Sequence, residues 1–391
     1  IIGLERKSTF SLSRFLKNSF LVCSLLLMSE VEAFTNQNRF HIRHYLSSDV
    51  TSVIKSSVIL HKVPMQRGDP DADYVSPQVE ASPEDEEDAE PTPLAIPSSS
   101  LTELLRPPLS CNVNQMGPTA MAYIGDIVYE LFVRSKYVWP PRRMSDLQGL
   151  VVGFVRAEYQ SGLLDKLVEA CLLSPKEEQV LMRGRNSKTQ SRYRRNSPAY
   201  QDSTAFETVL GYLYITDVKR CQLLFNWIDA YLDGDDDRMN IPSSTTLDEL
   251  LRPPIMSNVN QMSPADLAFI GDVLYEMFIR CRHVWPPRKT ADMQVQVVSL
   301  VRAEHQSELL EKLMESFPLS TKELQALSRG RNAFKATSAN QRTSIREFQD
   351  ASALKSLLGY LYINDQYRCE DMLNWIDAYL MRLQQQQEQK K

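Results

Sequence analysis

The sequence predicts an all-α protein built from two tandem copies of one helical domain. Three observations carry that reading: a long internal repeat, apolar residues recurring at helical spacing within each copy, and no sustained alternation of the strand kind. "LTELLRPPLSCNVNQMGPTAMAYIGDIVYELFVR", from Leu101, returns as "LDELLRPPIMSNVNQMSPADLAFIGDVLYEMFIR" from Leu247, a shift of 146 residues. The shift holds at the "RGRN" phrases of Arg183 and Arg329 and becomes 148 at Gly211 and Gly359, so the second copy carries a two-residue insertion in the loop between. Two copies of this period make a duplicated domain rather than a solenoid.

From the N-terminus, basic Arg6, Lys7, Arg14 and Lys17 precede the apolar run "SFLVCSLLLM" and the small Ala33, so residues 1–33 read as a signal peptide. Residues 34–65, basic and hydroxyl-rich with a single acid, read as a transit peptide. The pair resembles the bipartite presequences of complex algal plastids, which implies delivery to the plastid (chloroplast) stroma and no membrane contact for the mature protein. Residues 66–100, ending near "SPEDEEDAEPTP", are a Pro-rich acidic linker expected to stay disordered. Domain 1 follows at 101–233, a hinge at 234–246, domain 2 at 247–383, and a polar tail expected to be disordered at 384–391.

Within the first copy, Ile124, Ile127, Val128, Leu131 and Phe132 make one apolar stripe, Leu147, Leu150, Val151 and Phe154 a second, and Phe206, Val209, Leu210 and Leu213 a third. Helix starts are expected at Pro118, at Ser145-Asp146, at Ser174-Pro175 and at the hydroxyl pair Ser203-Thr204. Five to seven helices per copy would enclose one core.

Composition narrows the chemistry. The 391 residues are 43% hydrophobic and carry a net charge of -5, which taken whole opposes a nucleic-acid partner, but the acidic linker distorts that average. Six cysteines show no CxxC spacing and only His283 and His305 fall inside the copies, so a zinc site or a histidine general base is not expected.

Three features could carry function. Asp126 sits inside the apolar run "AYIGDIVYELF" with Glu130 one turn later. A carboxylate there needs a partner, which leaves a bound cation against a structural pairing, with Asp126 tied to a neighbouring helix and Glu130 to Arg134. Glu207, in "STAFETVLGYLYI", could likewise be a ligand or the return arm of a capping box with Thr204. The second copy writes "ASALKSLLGYLYI", with Lys355 in the place of Glu207. Third, "RGRNSKTQSRYRR", from Arg183, holds six basic residues and no acid, and "RGRNAFKATSANQRTSIR", from Arg329, holds five and no acid. Such segments suit phosphate and 2'-hydroxyl contacts, against the alternative of a solvated surface loop.

"MAYIGDIVYELFVR", "LMRGRNSK" and "STAFETVLGYLYI", in this order, resemble Mini-ribonuclease III, the compact branch of the ribonuclease III family, over nearly all of each copy. The resemblance implies helical endonuclease domains that pair around a basic valley for double-stranded RNA, here as an intramolecular pseudo-dimer. It implies that Asp126 and Glu207 are the catalytic residues and the ligands of Mg²⁺, with Mn²⁺ as the alternative ion. Acids that larger members carry correspond here to Thr119, Ala122 and Thr204. Arg183, Arg185, Asn186, Lys188, Arg192, Arg194 and Arg195 of the first copy, with Arg329, Arg331, Asn332 and Lys335 of the second, are the expected RNA contacts. Asp272 and Lys355 would form a degenerate second site, with the ammonium where a cation should bind. Precursor large-subunit ribosomal RNA of the plastid is the implied substrate, and a homodimer through the first copies is one route to cutting both strands. A non-catalytic RNA-binding or ribosome-associated protein of the same fold is the alternative.

Overall fold

The structure, a computed structural model, describes residues 99–187, 198–235, 245–254, 256–333 and 342–389. They form fourteen α-helices and two short 3₁₀ turns, and there is no strand among the described residues. The first copy comprises α1 (Leu101–Leu104), α2 (Pro118–Tyr137), α3 (Met144–Val155), α4 (Ala157–Glu169), α5 (Pro175–Arg185), α6 (Pro198–Thr216) and α7 (Val218–Asp233). The second repeats it as α8 (Leu247–Leu250), α9 (Pro264–His283), α10 (Thr290–Val301), α11 (Ala303–Ser316), α12 (Thr321–Ala333), α13 (Arg342–Asn364) and α14 (Gln366–Gln389). Residues 1–98, which hold the presequence and all of the linker but its last two residues, and the loop residues Lys188, Arg192, Arg194, Arg195 and Lys335 lie outside the described residues. Ser99 and Ser100, expected in the disordered linker, are ordered because Ser100 caps α1 in a box with Glu103.

Local chemistry sets several boundaries where the sequence put them. Pro118 opens α2 at its first turn, and Ser174 caps α5 in a reciprocal box with Glu177, with Pro175 just inside. The hinge begins where α7 stops at Gly234, whose φ of 68° closes the helix in the left-handed region open to glycine. It ends where Thr246 caps α8.

Two boundaries differ. α6 starts at Pro198 rather than at the hydroxyl pair, because Ser203 and Thr204 turn back and donate to the Tyr200 carbonyl at 3.0 and 2.9 Å. Hydroxyls spent in this way sit inside a helix, so Thr204 caps nothing and the capping-box reading of Glu207 falls. α14 runs on through the glutamines to Gln389, past residue 383, since glutamine is a good helix former.

Each copy is organised around its long central helix. From Met121 to Ser135 every residue of α2 is buried, which is the signature of a helix enclosed on all sides. α2 packs against α6 through a reciprocal glycine contact. A Cβ on Gly125 would lie 1.8 Å from the Glu207 carbonyl oxygen, and one on Gly211 would lie 1.9 Å from that of Met121. Gly271 and Gly359 repeat the contact between α9 and α13, against the carbonyls of Lys355 and Leu267. Only glycine permits backbones this close.

The two copies pair by a pseudo-two-fold relation, so contacts come in twos. Ser135 Oγ donates to the Leu251 carbonyl at 2.7 Å, and Cys281 Sγ, at the matching position, donates to Leu105 at 3.0 Å. Each copy's leading segment crosses to the other's last helix. The Ser99 carbonyl accepts from Asn374 Nδ2 at 2.8 Å, and the Thr245 carbonyl accepts from Asn226 Nδ2 at 2.9 Å. The fold is thus two tandem all-α domains joined as an intramolecular pseudo-dimer, and no helix among the described residues is long and apolar enough to cross a membrane.

Candidate active site

The glycine contact decides which side chains of α2 and α6 meet. Gly125 precedes Asp126 on α2, and Gly211 follows Glu207 by one turn on α6, so locking the two backbones together brings both carboxylates to one pocket. Thr119, Ala122, Tyr123, Tyr200, Thr204 and Ser187 line it with them, and Gln294 enters from α10 of the second copy. Thr119, Ala122 and Thr204 therefore stand around the carboxylate pair, uncharged.

Asp126 and Glu207 are buried, at 3% and 4% exposure. Burial pushes the Glu207 carboxyl well above the usual carboxylate range and the charge of Asp126 pushes it further, while Arg280 and the Gln160 amide pull the other way. Gln160 lies beside Glu207, yet neither of its polar atoms completes a hydrogen bond. Asp126 has one firm partner: Arg280 Nη1, from α9 of the second copy, donates to its Oδ2 at 2.9 Å. Arg280 also binds Glu276 and the Tyr123 carbonyl, and its guanidinium stands 4.1 Å from the centroid of the Tyr123 ring.

Both structural pairings open at the sequence level are therefore present. Asp126 is tied to a neighbouring helix, and Glu130 pairs with Arg134. Burial lifts the Glu130 carboxyl to about 7 against the pull of Arg134. The aspartate serves an interface and a pocket at once, because Arg280 engages one of its oxygens and no described residue bonds the other.

The second copy answers residue for residue. Arg134 crosses to Asp272, with Nη1 3.3 Å from Oδ2 and 2.7 Å from the Phe269 carbonyl. Lys355 Nζ lies 2.9 Å from Asp272 Oδ1, so both oxygens of that carboxylate are taken by cations. Burial alone would raise the Asp272 carboxyl, but Lys355 and Arg134 outweigh it and hold it below its usual range.

Counted with every group ionised, the first cluster has three acids, Asp126, Glu207 and Glu276, on one base, Arg280. The second has two acids, Asp272 and Glu130, on two bases, Arg134 and Lys355. On that formal count acids exceed bases in the first cluster and equal them in the second, the difference being Glu207 in the place of Lys355. Among the described residues no three His, Cys, Asp or Glu groups converge as a metal cage. Two carboxylates nonetheless fit a hard cation that keeps several of its waters, and the donors are all oxygen.

Of the expected RNA contacts, Arg183 and Asn186 are exposed near the end of α5, and Ser187, one residue on, lines the pocket itself. The described part of the acid-free segment, Arg183 to Ser187, thus ends at the rim of the site. Arg185 is held by Asp202 at 2.5 Å and Arg331 by Asp350 at 2.6 Å, so these two arginines are anchored to the next helix. Arg329 and Asn332 are exposed, with Arg329 donating to the Met262 carbonyl at 3.3 Å.

Arg280, Gln160, Gln294 and the glycine pairs escaped the sequence reading. The glycines were visible as repeated "IGD" and "LGY" phrases, but nothing in a linear sequence tells which helices they join. His283 and His305 are not among the residues that line the pocket.

The family described as Ribonuclease III domain matches residues 119–217 and again 265–366. Among curated relatives, the Mini-ribonuclease 3 of Synechocystis sp. is 39% identical over 127 residues, which is 32% of this chain and 86% of that protein. That of Thermosynechococcus vestitus is 38% identical over 128 residues, covering 33% and 83%. That of Synechococcus sp. is 42% identical over 110 residues, covering 28% and 78%. Each relative is thus about the length of one copy.

Proposed function

The chain belongs to the ribonuclease III family, and on that premise we propose that its first copy is a Mg²⁺-dependent centre for cutting double-stranded RNA, built on Asp126 and Glu207, and that its second copy no longer cuts. The chain is an endoribonuclease of the ribonuclease III type. The observation that carries the assignment of roles is the contrast between the two pockets: Asp126 shares its pocket with a second carboxylate, Glu207, whereas Asp272 is held at 2.9 Å by the ammonium of Lys355.

In this reading Asp126 and Glu207 hold the cation through carboxylate oxygens, Mg²⁺ first and Mn²⁺ as the alternative. A bound divalent ion supplies an activated water and offsets charge on the phosphodiester. The chain's own groups do the rest. The Gly125–Gly211 contact sets the spacing of the two carboxylates, both of which are buried. Glu207, pushed toward its neutral form by burial, would have to be ionised to hold a cation. Arg183 and Asn186 at the rim, with the basic segment beyond, take the backbone phosphates. On the second copy Lys355 and Asp272 close the equivalent place, while Arg329 and Asn332 extend the RNA surface.

The substrate in this reading is precursor ribosomal RNA of the large subunit, and the compartment is the plastid stroma. Support for both is the family resemblance together with the composition of residues 1–65. The test is incubation with a short RNA duplex and Mg²⁺, comparing the wild type with Glu207→Gln. Equal binding with cleavage by the wild type alone is expected. Equal binding with cleavage by neither would leave an RNA-binding protein, the reading that the neutralised second site favours.

A further inference from the structure

We propose that Arg280, carried by the copy that no longer cuts, is the positioning residue for Asp126, so that the first copy's centre is assembled from both halves of the chain. This rests on the reading of Asp126 and Glu207 as the cutting centre and adds a residue from outside that copy.

The geometry leaves the guanidinium little freedom. Arg280 is 2% exposed, with Nη1 on Asp126 Oδ2 and the Tyr123 carbonyl, both at 2.9 Å. Nε and Nη2 both meet Glu276 Oε1, at 2.9 and 2.5 Å, and the planar group stacks on Tyr123. Every nitrogen of the fork is committed, so the oxygen it grips is fixed in direction. Asp126 is left with its other oxygen as the one available to the pocket.

The first copy cannot supply this contact to itself. Arg134, the matching residue on α2, lies eight positions beyond Asp126, about 12 Å along the helix axis, and reaches into the other copy instead. Gln294 from α10 lines the same pocket, a second group that the first copy lacks without its twin. Retention of a copy whose own centre is closed by Lys355 has a physical reason if its arginine completes the other centre.

The pseudo-symmetry provides the control. Arg134 makes the same kinds of contact, with Glu130, the Phe269 carbonyl and ring, and Asp272, but its aspartate is already held by Lys355. Arg280→Lys and Arg134→Lys each keep the charge and lose the fork. Both should lower the thermal midpoint alike. In steady-state cleavage of a short RNA duplex with Mg²⁺, Arg280→Lys is expected to lose roughly 10- to 100-fold in kcat with little change in KM, the scale of outer-sphere substitutions. Mn²⁺ binding to the RNA-free chain, followed by electron paramagnetic resonance, should weaken in parallel. Arg134→Lys should stay within about threefold of the wild type in both measurements. Glu276→Gln, a milder change that frees the far side of the guanidinium, should shift both readouts the same way by less, and it decides the matter if Arg280→Lys does not fold.

Arg280→Lys with wild-type turnover and Mn²⁺ affinity overturns the proposal, and so does equal loss of activity in the two arginine variants, which would make both mere interface ties. A wild type that cuts no duplex RNA sinks the nuclease reading separately. Unchanged Mn²⁺ binding in Arg280→Lys would then overturn the positioning role as well.

Discussion

At residue 207 a carboxylate is buried next to a second one, and no described residue donates it a hydrogen bond of good geometry. Because burial and Asp126 raise its pKa on folding, Glu207 disfavours the folded state at any pH where the unfolded chain ionises it. The sign follows: the fold keeps its full stability below the unfolded carboxylate range and loses this part as pH climbs toward the raised value. Glu207→Gln, with chelator present, should therefore be more stable than the wild type at pH 7 by about 1 kcal/mol. The gain should vanish below about pH 4. Thermal unfolding at both pH values checks this, and a less stable variant at pH 7 would mean that the carboxyl is held by contacts instead. Asp272 is the reverse case, since Lys355 and Arg134 turn its burial into a net gain. The reversal of charge from Glu207 to Lys355 was plain in the sequence. That the ammonium reaches Asp272, at 2.9 Å, came from the structure.

Among the elements, the crossing of α2 and α6 is the most tightly specified. Gly125→Ala would set a methyl carbon 1.8 Å from the Glu207 carbonyl oxygen, an overlap with backbone that no rotamer relieves. The helices would have to separate, at a cost of about 3 kcal/mol or more, and the pocket would widen with them. Gly149, in the middle of α3, has nothing within 4 Å of its Cβ position, so Gly149→Ala should stabilise by up to about 1 kcal/mol through helix propensity. Urea unfolding of the two variants should move in opposite directions, and a neutral Gly125→Ala would refute the close-packed crossing. Sequence punctuation located α2 and α5 because proline and a serine box act locally. It misplaced the start of α6, since buried hydroxyls that bond backward along a helix look the same in a sequence as hydroxyls that cap one.

For the whole molecule, duplication turns an association between chains into a fold within one, with two crossed leading segments and two crossed arginines. On the proposed reading, with Asp126 and Glu207 as the single centre, one strand is cut per encounter. With each strand of a duplex labelled in turn, the monomeric wild type is expected to nick, and Lys355→Glu, which restores a carboxylate beside Asp272, to gain cleavage of the second strand. Equal cutting of both strands by the monomeric wild type would refute the single-centre arrangement.

The sequence by itself determined the class of fold, the duplication, the candidacy of Asp126 and Glu207, and the charge reversal between Glu207 and Lys355. Repeats, helical periodicity and the identity of a residue are properties of the chain that survive without coordinates. Only the tertiary structure decided what those residues face. Whether Asp126 would meet a cation or an arginine depended on a partner 154 positions away, and on the glycine contact that sets Glu207 beside it. Spacing along one helix cannot reveal a residue delivered by another. The centre became a property of both copies only when α2 and α9 were laid against each other.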